Sequence, residues 1–78
     1  SDITEFTWPH PAREVFIMGE WSKWQSKEQL HRINNSFVLH KNLKVGTYRY
    51  KFVVDGKWQH DWEQPHESDS YGGYNNVK

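Results

Sequence analysis

The sequence predicts a small antiparallel β-sandwich, and three observations lead there. Short runs of alternating apolar and polar residues recur at roughly 8–12-residue spacing. Turn residues stand between these runs. The 78-residue length allows one domain, and a chain of that size buries only about 60% of the surface its unfolded form exposes. Five strands are expected. Thr4–Trp8 alternates Phe6 and Trp8 with polar residues, and Pro9 and Pro11 then mark a loop or an edge. Glu14–Met18 is apolar on both faces, as in a central strand. Asn34-Asn35 is a turn signal before the strand Ser36–Leu39. Val45-Gly46 turns into the long strand Thr47–Val54, and Lys57–His60 is its return. A short terminal strand is also expected near Asn75–Lys78. Glu20–Ile33 carries too thin an apolar stripe for an amphipathic helix and is read as a loop with at most one helical turn. Glu63–Gly73 is read as a polar loop.

The hairpin is the most informative segment. Asp55-Gly56 suits a two-residue type I′ turn, whose central residues both need positive φ. That turn pairs Val54 with Lys57, Val53 with Trp58, Phe52 with Gln59 and Lys51 with His60. Directly paired residues share a face. Trp58 then joins Lys51 and Val53 on one side, opposite Tyr50, Phe52 and Val54. An indole and an ammonium become diagonal neighbours, roughly 7–8 Å apart, on the outer face of a sheet.

Composition narrows the function classes. With no cysteine, disulfides contribute nothing, and no zinc-ligand spacing appears. Stability must come from large side chains: 5 Trp, 4 Tyr and 4 Phe, each able to bury about 150–250 Å². Because only 35% of the residues are hydrophobic, some of these rings have work outside the core. Phe6, Phe16, Phe37, Tyr50 and Phe52 are expected inside, with Trp8 and Trp21. Ten basic and ten acidic residues balance, which weighs against a nucleic-acid binder that must neutralise phosphates. The glycine-bearing basic signature of an RNA-recognition sheet is also missing. No apolar run approaches the ~20 residues that span a membrane. The chain begins at Ser1 and is read as residues 1–78 of a larger protein, forming one domain.

Two constellations carry candidate chemistry. Flat rings stack on the apolar faces of a pyranose while amides and ammonium groups bond its hydroxyls, the usual mix of apolar surface and a few placed polar groups. Trp24 and Trp58 are candidate platforms, each with an ordinary packed tryptophan as the competing reading. Lys51 is a candidate donor, and Asn75 and Asn76 can both donate and accept. His60, Asp61, His66 and Glu67 lie close in sequence but match no standard metal spacing, and His10, His31 and His40 are expected in solvent. Asp61, Glu63, Glu67 and Asp69 are read as loop carboxylates with nothing to fix their geometry. No nucleophile elbow, cysteine nucleophile or phosphate-binding glycine loop is present, so no catalytic role, metal or cofactor is expected.

Phe6–Trp8 (FTW), Glu14–Trp24 (EVFIMGEWSKW), Asn34–Val38 (NNSFV), Tyr48–Asp61 (YRYKFVVDGKWQHD) and Gly73–Asn76 (GYNN) together give the chain its most specific feature. In these segments it resembles the glycogen-binding domain of AMP-activated protein kinase β subunits, a family 48 carbohydrate-binding module. The resemblance implies an immunoglobulin-like (early-set) β-sandwich that binds α-1,4-linked glucans such as glycogen, starch or maltooligosaccharides without catalysis. It also implies residue roles: Trp24 and Trp58 as stacking platforms, Lys51 as the hydroxyl-binding lysine and Asn75 as a polar clamp. Tyr71 matches the position of an apolar residue that threads against the glucan. Gly73 matches a position often held by a hydroxyl residue, so one hydrogen bond is expected to be missing.

There are departures from the family pattern. Trp62 stands where proline is common, and it either rearranges the loop or adds a fifth ring to the site. Tyr74 is bulkier than the usual aliphatic residue. The chain reaches Lys78 before the family's last strand would be complete, so one sheet edge is expected to be short. The implied partners are an α-glucan and, in a parent complex, a kinase or phosphatase domain; neither nucleic acid nor membrane is expected. The cytoplasm is the expected compartment, or the plastid if the parent acts on starch. The alternative is a protein-interaction module of a kinase regulatory subunit or glucan phosphatase whose sugar face is weak or vestigial.

Overall fold

In the computed structural model, described over residues 2–78, nine strands form two antiparallel sheets. The strands are β1 Asp2–Trp8, β2 Val15–Gly19, β3 Glu28–Gln29, β4 His31–Ile33, β5 Ser36–Leu43, β6 Arg49–Val54, β7 Lys57–Gln59, β8 His66–Ser68 and β9 Tyr74–Val77. One sheet has the order β1-β5-β4, and the other runs β3-β2-β6-β9-β8 with β7 also paired to β6. This is the all-β, immunoglobulin-like sandwich expected of the sequence. The chain passes from one sheet to the other at Leu30, which is buried between β3 and β4 and whose N–H donates to Val15 O (2.9 Å).

The turn at Asp55-Gly56 forms as expected. Both residues have positive φ, 49° and 83°, and β6 pairs with β7 as Val54↔Lys57, Val53↔Trp58 and Phe52↔Gln59. Asp55 does more than turn the chain. Its Oδ1 accepts hydrogen bonds from the backbone N–H groups of Arg13 and Glu14, both at 2.9 Å, which tie the approach to β2 against the hairpin. The ladder stops at Gln59, so the expected Lys51–His60 pair does not form.

The core lies between the sheets. β1 and β5 contribute Phe6, Trp8 and Phe37; β2 and β6 contribute Val15, Ile17, Tyr50, Phe52 and Val54. The rings meet edge to face or tilted, with Phe6 and Tyr50 at 4.9 Å and 80°, and Tyr50 and Phe52 at 5.5 Å and 77°. Such geometry matches the ring quadrupoles. Trp21 closes one end against Phe6 and Tyr50. Gly19 makes room for it, because a Cβ there would lie 2.6 Å from the indole. Tyr50 Oη finds no hydrogen-bond partner among the described residues, and burial pushes this phenol up to about 12.

Several expectations need correction. Phe16 is not in the core. Val15 and Ile17 point inward, so strand alternation turns Phe16 outward, where it pairs with Val53 and lies half-buried under the Lys27 ammonium (4.4 Å to the ring centroid). The stretch Glu20–Ile33, expected as a loop, contains β3 and β4 as well as the short 3₁₀ helix Glu20–Ser22. The loop Glu63–Gly73 contains β8. His10, expected in solvent, bonds through Nε2 to the buried Asp61 Oδ1 (3.0 Å). The last strand is held on both sides, by β6 and β8, and Lys78 exchanges two backbone hydrogen bonds with Tyr48 (2.8 and 2.9 Å).

Candidate functional site

A cleft of about 750 Å³ opens along the outer side of β6 and β9, and all six residues singled out from the sequence line it: Trp24, Lys51, Trp58, Tyr71, Gly73 and Asn75. They arrive from three segments. β6 and β7 bring Lys51 and Trp58 through the Asp-Gly turn, and the indole of Trp58 is 56% exposed. β9 brings Asn75. The register Arg49↔Val77 and Tyr50↔Asn76, extended by one pair, sets Asn75 opposite Lys51.

Trp24 reaches the cleft by an unusual route. After the 3₁₀ turn, Lys23 and Trp24 both adopt left-handed backbone, with φ of 57° and 62°. Non-glycine residues there store strain of about 1–3 kcal/mol each, which the surroundings must hold. Two backbone bonds do so, from Lys23 N–H to Glu20 O (2.9 Å) and from Trp24 N–H to Gly19 O (3.0 Å). The result is a tryptophan 36% exposed at the cleft wall rather than packed inside.

The third segment is β9 with the loop before it, and its organiser is Asp69, read from the sequence as a loop carboxylate with nothing to fix its geometry. Its Oδ2 accepts from Lys51 Nζ (2.9 Å), while Oδ1 accepts from the N–H groups of Tyr71 (2.8 Å) and Gly73 (2.9 Å). Its own N–H donates to Gly73 O (3.0 Å). Lys51 Nζ also donates to Tyr74 O. The Lys51 hydrogen bond and those backbone donors hold the Asp69 carboxyl down at about 2. The loop carboxylates are therefore not loosely placed as expected. Gly73 also has a local reason: a Cβ there would sit 3.1 Å from Asp69 Oδ2, so a hydroxyl side chain would press on the carboxylate. Tyr71 stands almost free, 94% exposed at the loop tip.

The adjacent asparagines divide their work. Asn76 is fully buried and structural: Oδ1 accepts from Asp61 N–H (2.8 Å), and Nδ2 donates to the carbonyls of Asp61 (2.9 Å) and Pro65 (3.1 Å). Asn75 lines the cleft, and its Oδ1 has no donor among the described residues. Asp61 belongs to the scaffold. Burial alone would raise its carboxyl, but hydrogen bonds from Gln64, Glu63 N–H and His10 outweigh that and hold it below the ordinary range. Neither Asp61 nor Asp69 has the raised pKa of a general acid.

The charges that line the cleft pair with one another. Lys51 meets Asp69, and Arg49 Nη1 meets Glu20 Oε2 at 3.3 Å, with Arg49 Nε also 3.4 Å from Glu67 Oε1. What faces a ligand is thus two exposed indoles, a free phenol and polar groups without unbalanced charge. That is a surface for a neutral, hydroxyl-rich molecule rather than a polyanion.

Sandwich and cleft together define a carbohydrate-binding module. The chain matches, over residues 3–78, the family described as "Glycogen recognition site of AMP-activated protein kinase", and it belongs to that family. It is 36% identical over 74 residues to the SNF1-related protein kinase regulatory subunit beta-2 of Arabidopsis thaliana, a match covering 95% of the chain and 26% of the relative. The corresponding figures are 39% for the 5'-AMP-activated protein kinase subunit beta-1 of Sus scrofa, covering 95% and 60%. For the beta-2 subunit of Homo sapiens they are 38%, with 95% and 27% covered. The chain thus spans between about a quarter and three-fifths of the length of these relatives.

Proposed function

We propose that residues 1–78 form a single domain of a longer protein and bind an α-1,4-linked glucan in this cleft without catalysis, carrying a parent kinase complex to glycogen or a similar polysaccharide. Trp24 and Trp58 stack on successive glucose units. Lys51 and Asn75 hydrogen-bond hydroxyls, and Tyr71 closes against the chain from the loop tip. Gly73 supplies backbone only, so one hydroxyl contact is absent. The observation that carries this reading is the pair of exposed indoles in one cleft whose charges are already paired with each other. Kinase regulatory subunits among the relatives support the targeting role.

Affinity is expected to be modest, because the face is shallow and hydroxyls must give up water. Isothermal titration with a linear maltooligosaccharide tests the assignment. Removing one platform in Trp58→Ala is expected to weaken binding by about 10-fold or more, the scale of losing one buried aromatic contact. Unchanged affinity in that variant would remove Trp58 from the site.

A further inference from the structure

We infer that Trp62 and Tyr74 form an auxiliary carbohydrate subsite, continuous with the cleft, that takes a branch or second stretch of the same α-glucan. The inference rests on the reading of the cleft given above. Trp62 and Tyr74 lie in van der Waals range, with ring centroids 4.7 Å apart and planes at 56°. His60 supports both, 4.3 Å from Trp62 and 5.0 Å from Tyr74, nearly parallel to the latter at 27°. His66 braces the cluster from the side, 5.0 Å from Trp62. In the core, such a cluster needs only burial as its reason. Here Trp62 remains 62% exposed and Tyr74 37% exposed.

Position identifies the occupant. Tyr74 and His60 line the glucan cleft, while His60 and Trp62 line an adjoining cavity of about 550 Å³. The aromatic cluster is therefore the ridge between two depressions that also share Gln59. A chain leaving the first depression meets the ridge, and Gln59 and Lys57 stand beside it as hydrogen-bonding groups. The His60 ring that supports both aromatics is biased toward its neutral form. Burial, and then His66 and Lys51, lower the affinity of His60 for a proton. Exposed rings joined to a sugar cleft and flanked by an amide suit a further pyranose.

The test compares two ligands by isothermal titration of the whole chain: maltotetraose, a short linear ligand, and a branched limit dextrin. Trp62→Ala is expected to leave maltotetraose affinity within about twofold and to weaken the branched dextrin by about 5–30-fold, the scale of one aromatic platform under a ligand. Trp62→Phe should restore most of that loss. In the unmodified protein, the Trp62 indole N–H resonance should move with the dextrin and stay still with maltotetraose. Equal affinity of the original and Trp62→Ala chains for the dextrin would overturn the subsite, as would equal loss for both ligands. An apolar peptide, but not dextrin, shifting the Trp62 resonance would also overturn it. If the unmodified chain bound maltotetraose but the Trp62 results failed, only this inference would fall. If it bound neither ligand, the cleft assignment would fall too.

Discussion

The two faces of β6 place very different demands on neighbouring residues. Tyr50, Phe52 and Val54 turn inward and are 0%, 0% and 5% exposed, locked among rings from both sheets. Lys51 turns outward, and the strand hydrogen-bonded beside it carries Trp58 at 56% exposure. Both faces use aromatic residues, but only the inner face uses them for stability. A polar chain of 78 residues that leaves large rings in water gives up burial it could otherwise use. The difference teaches that, in a domain this small, the location of an aromatic separates folding from binding better than its type does.

The largest effect expected from breaking this contrast lies on the inner face. Phe52→Ala should cost about 3–5 kcal/mol, much of the roughly 5–15 kcal/mol available to a domain. Trp58→Ala should change stability by no more than about 0.5 kcal/mol. Denaturant unfolding followed by circular dichroism measures both. A Trp58→Ala chain as unstable as Phe52→Ala would erase the distinction between the faces.

A smaller effect sharpens the outer face itself. Asp69→Asn removes the charged partner of Lys51 and weakens the acceptor that holds Tyr71 and Gly73. Glucan affinity is expected to fall by about 3–10-fold, as for the loss of one charge-assisted hydrogen bond, while the fold remains intact. Titration calorimetry beside a melting curve separates the two readouts. The pH dependence has a definite sign. The Asp69 carboxyl is depressed to about 2 in the folded chain, against about 3.9 when unfolded. Its contribution is therefore complete above about pH 4 and is lost as pH falls from there toward 2. Stability of the unmodified chain should decline over that window, and Asp69→Asn should decline less. Asp61, whose carboxyl is also depressed, is expected to contribute to the slope that remains.

The hairpin and the inner face were legible in the sequence because their causes are local. Asp55-Gly56 sets the register, and alternation then assigns Lys51 and Trp58 to one side without reference to the rest of the chain. Trp24 and Asn75 stood out by residue type and Tyr71 and Gly73 only through resemblance to a family; that all four line one cleft depends on segments distant in sequence. β3, β4 and β8 were not legible. They are two or three residues long, mostly polar, and exist because a neighbouring strand offers hydrogen bonds. Phe16 misled by its type, although the inward course of Val15 and Ile17 already required it to face outward. The clamp at Asp69 has only a weak local signature, an aspartate ahead of a Gly-Gly turn. Its bonds to the Tyr71 and Gly73 N–H groups are local, but the Lys51 contact that ties the loop to β6 appears only once the loop folds back onto the sheet.

The most direct measurement is a titration of the ¹⁵N-labelled domain with a linear maltooligosaccharide, followed by two-dimensional NMR. The indole N–H resonances of Trp24 and Trp58 should shift together, with the backbone amides of Lys51, Tyr71, Gly73 and Asn75, while β1, β4 and β5 stay still. Shifts confined to the β1-β5-β4 sheet, or saturation by ligand with the Trp24 and Trp58 indoles unmoved, would contradict the assignment of the outer face of β6 as the glucan site.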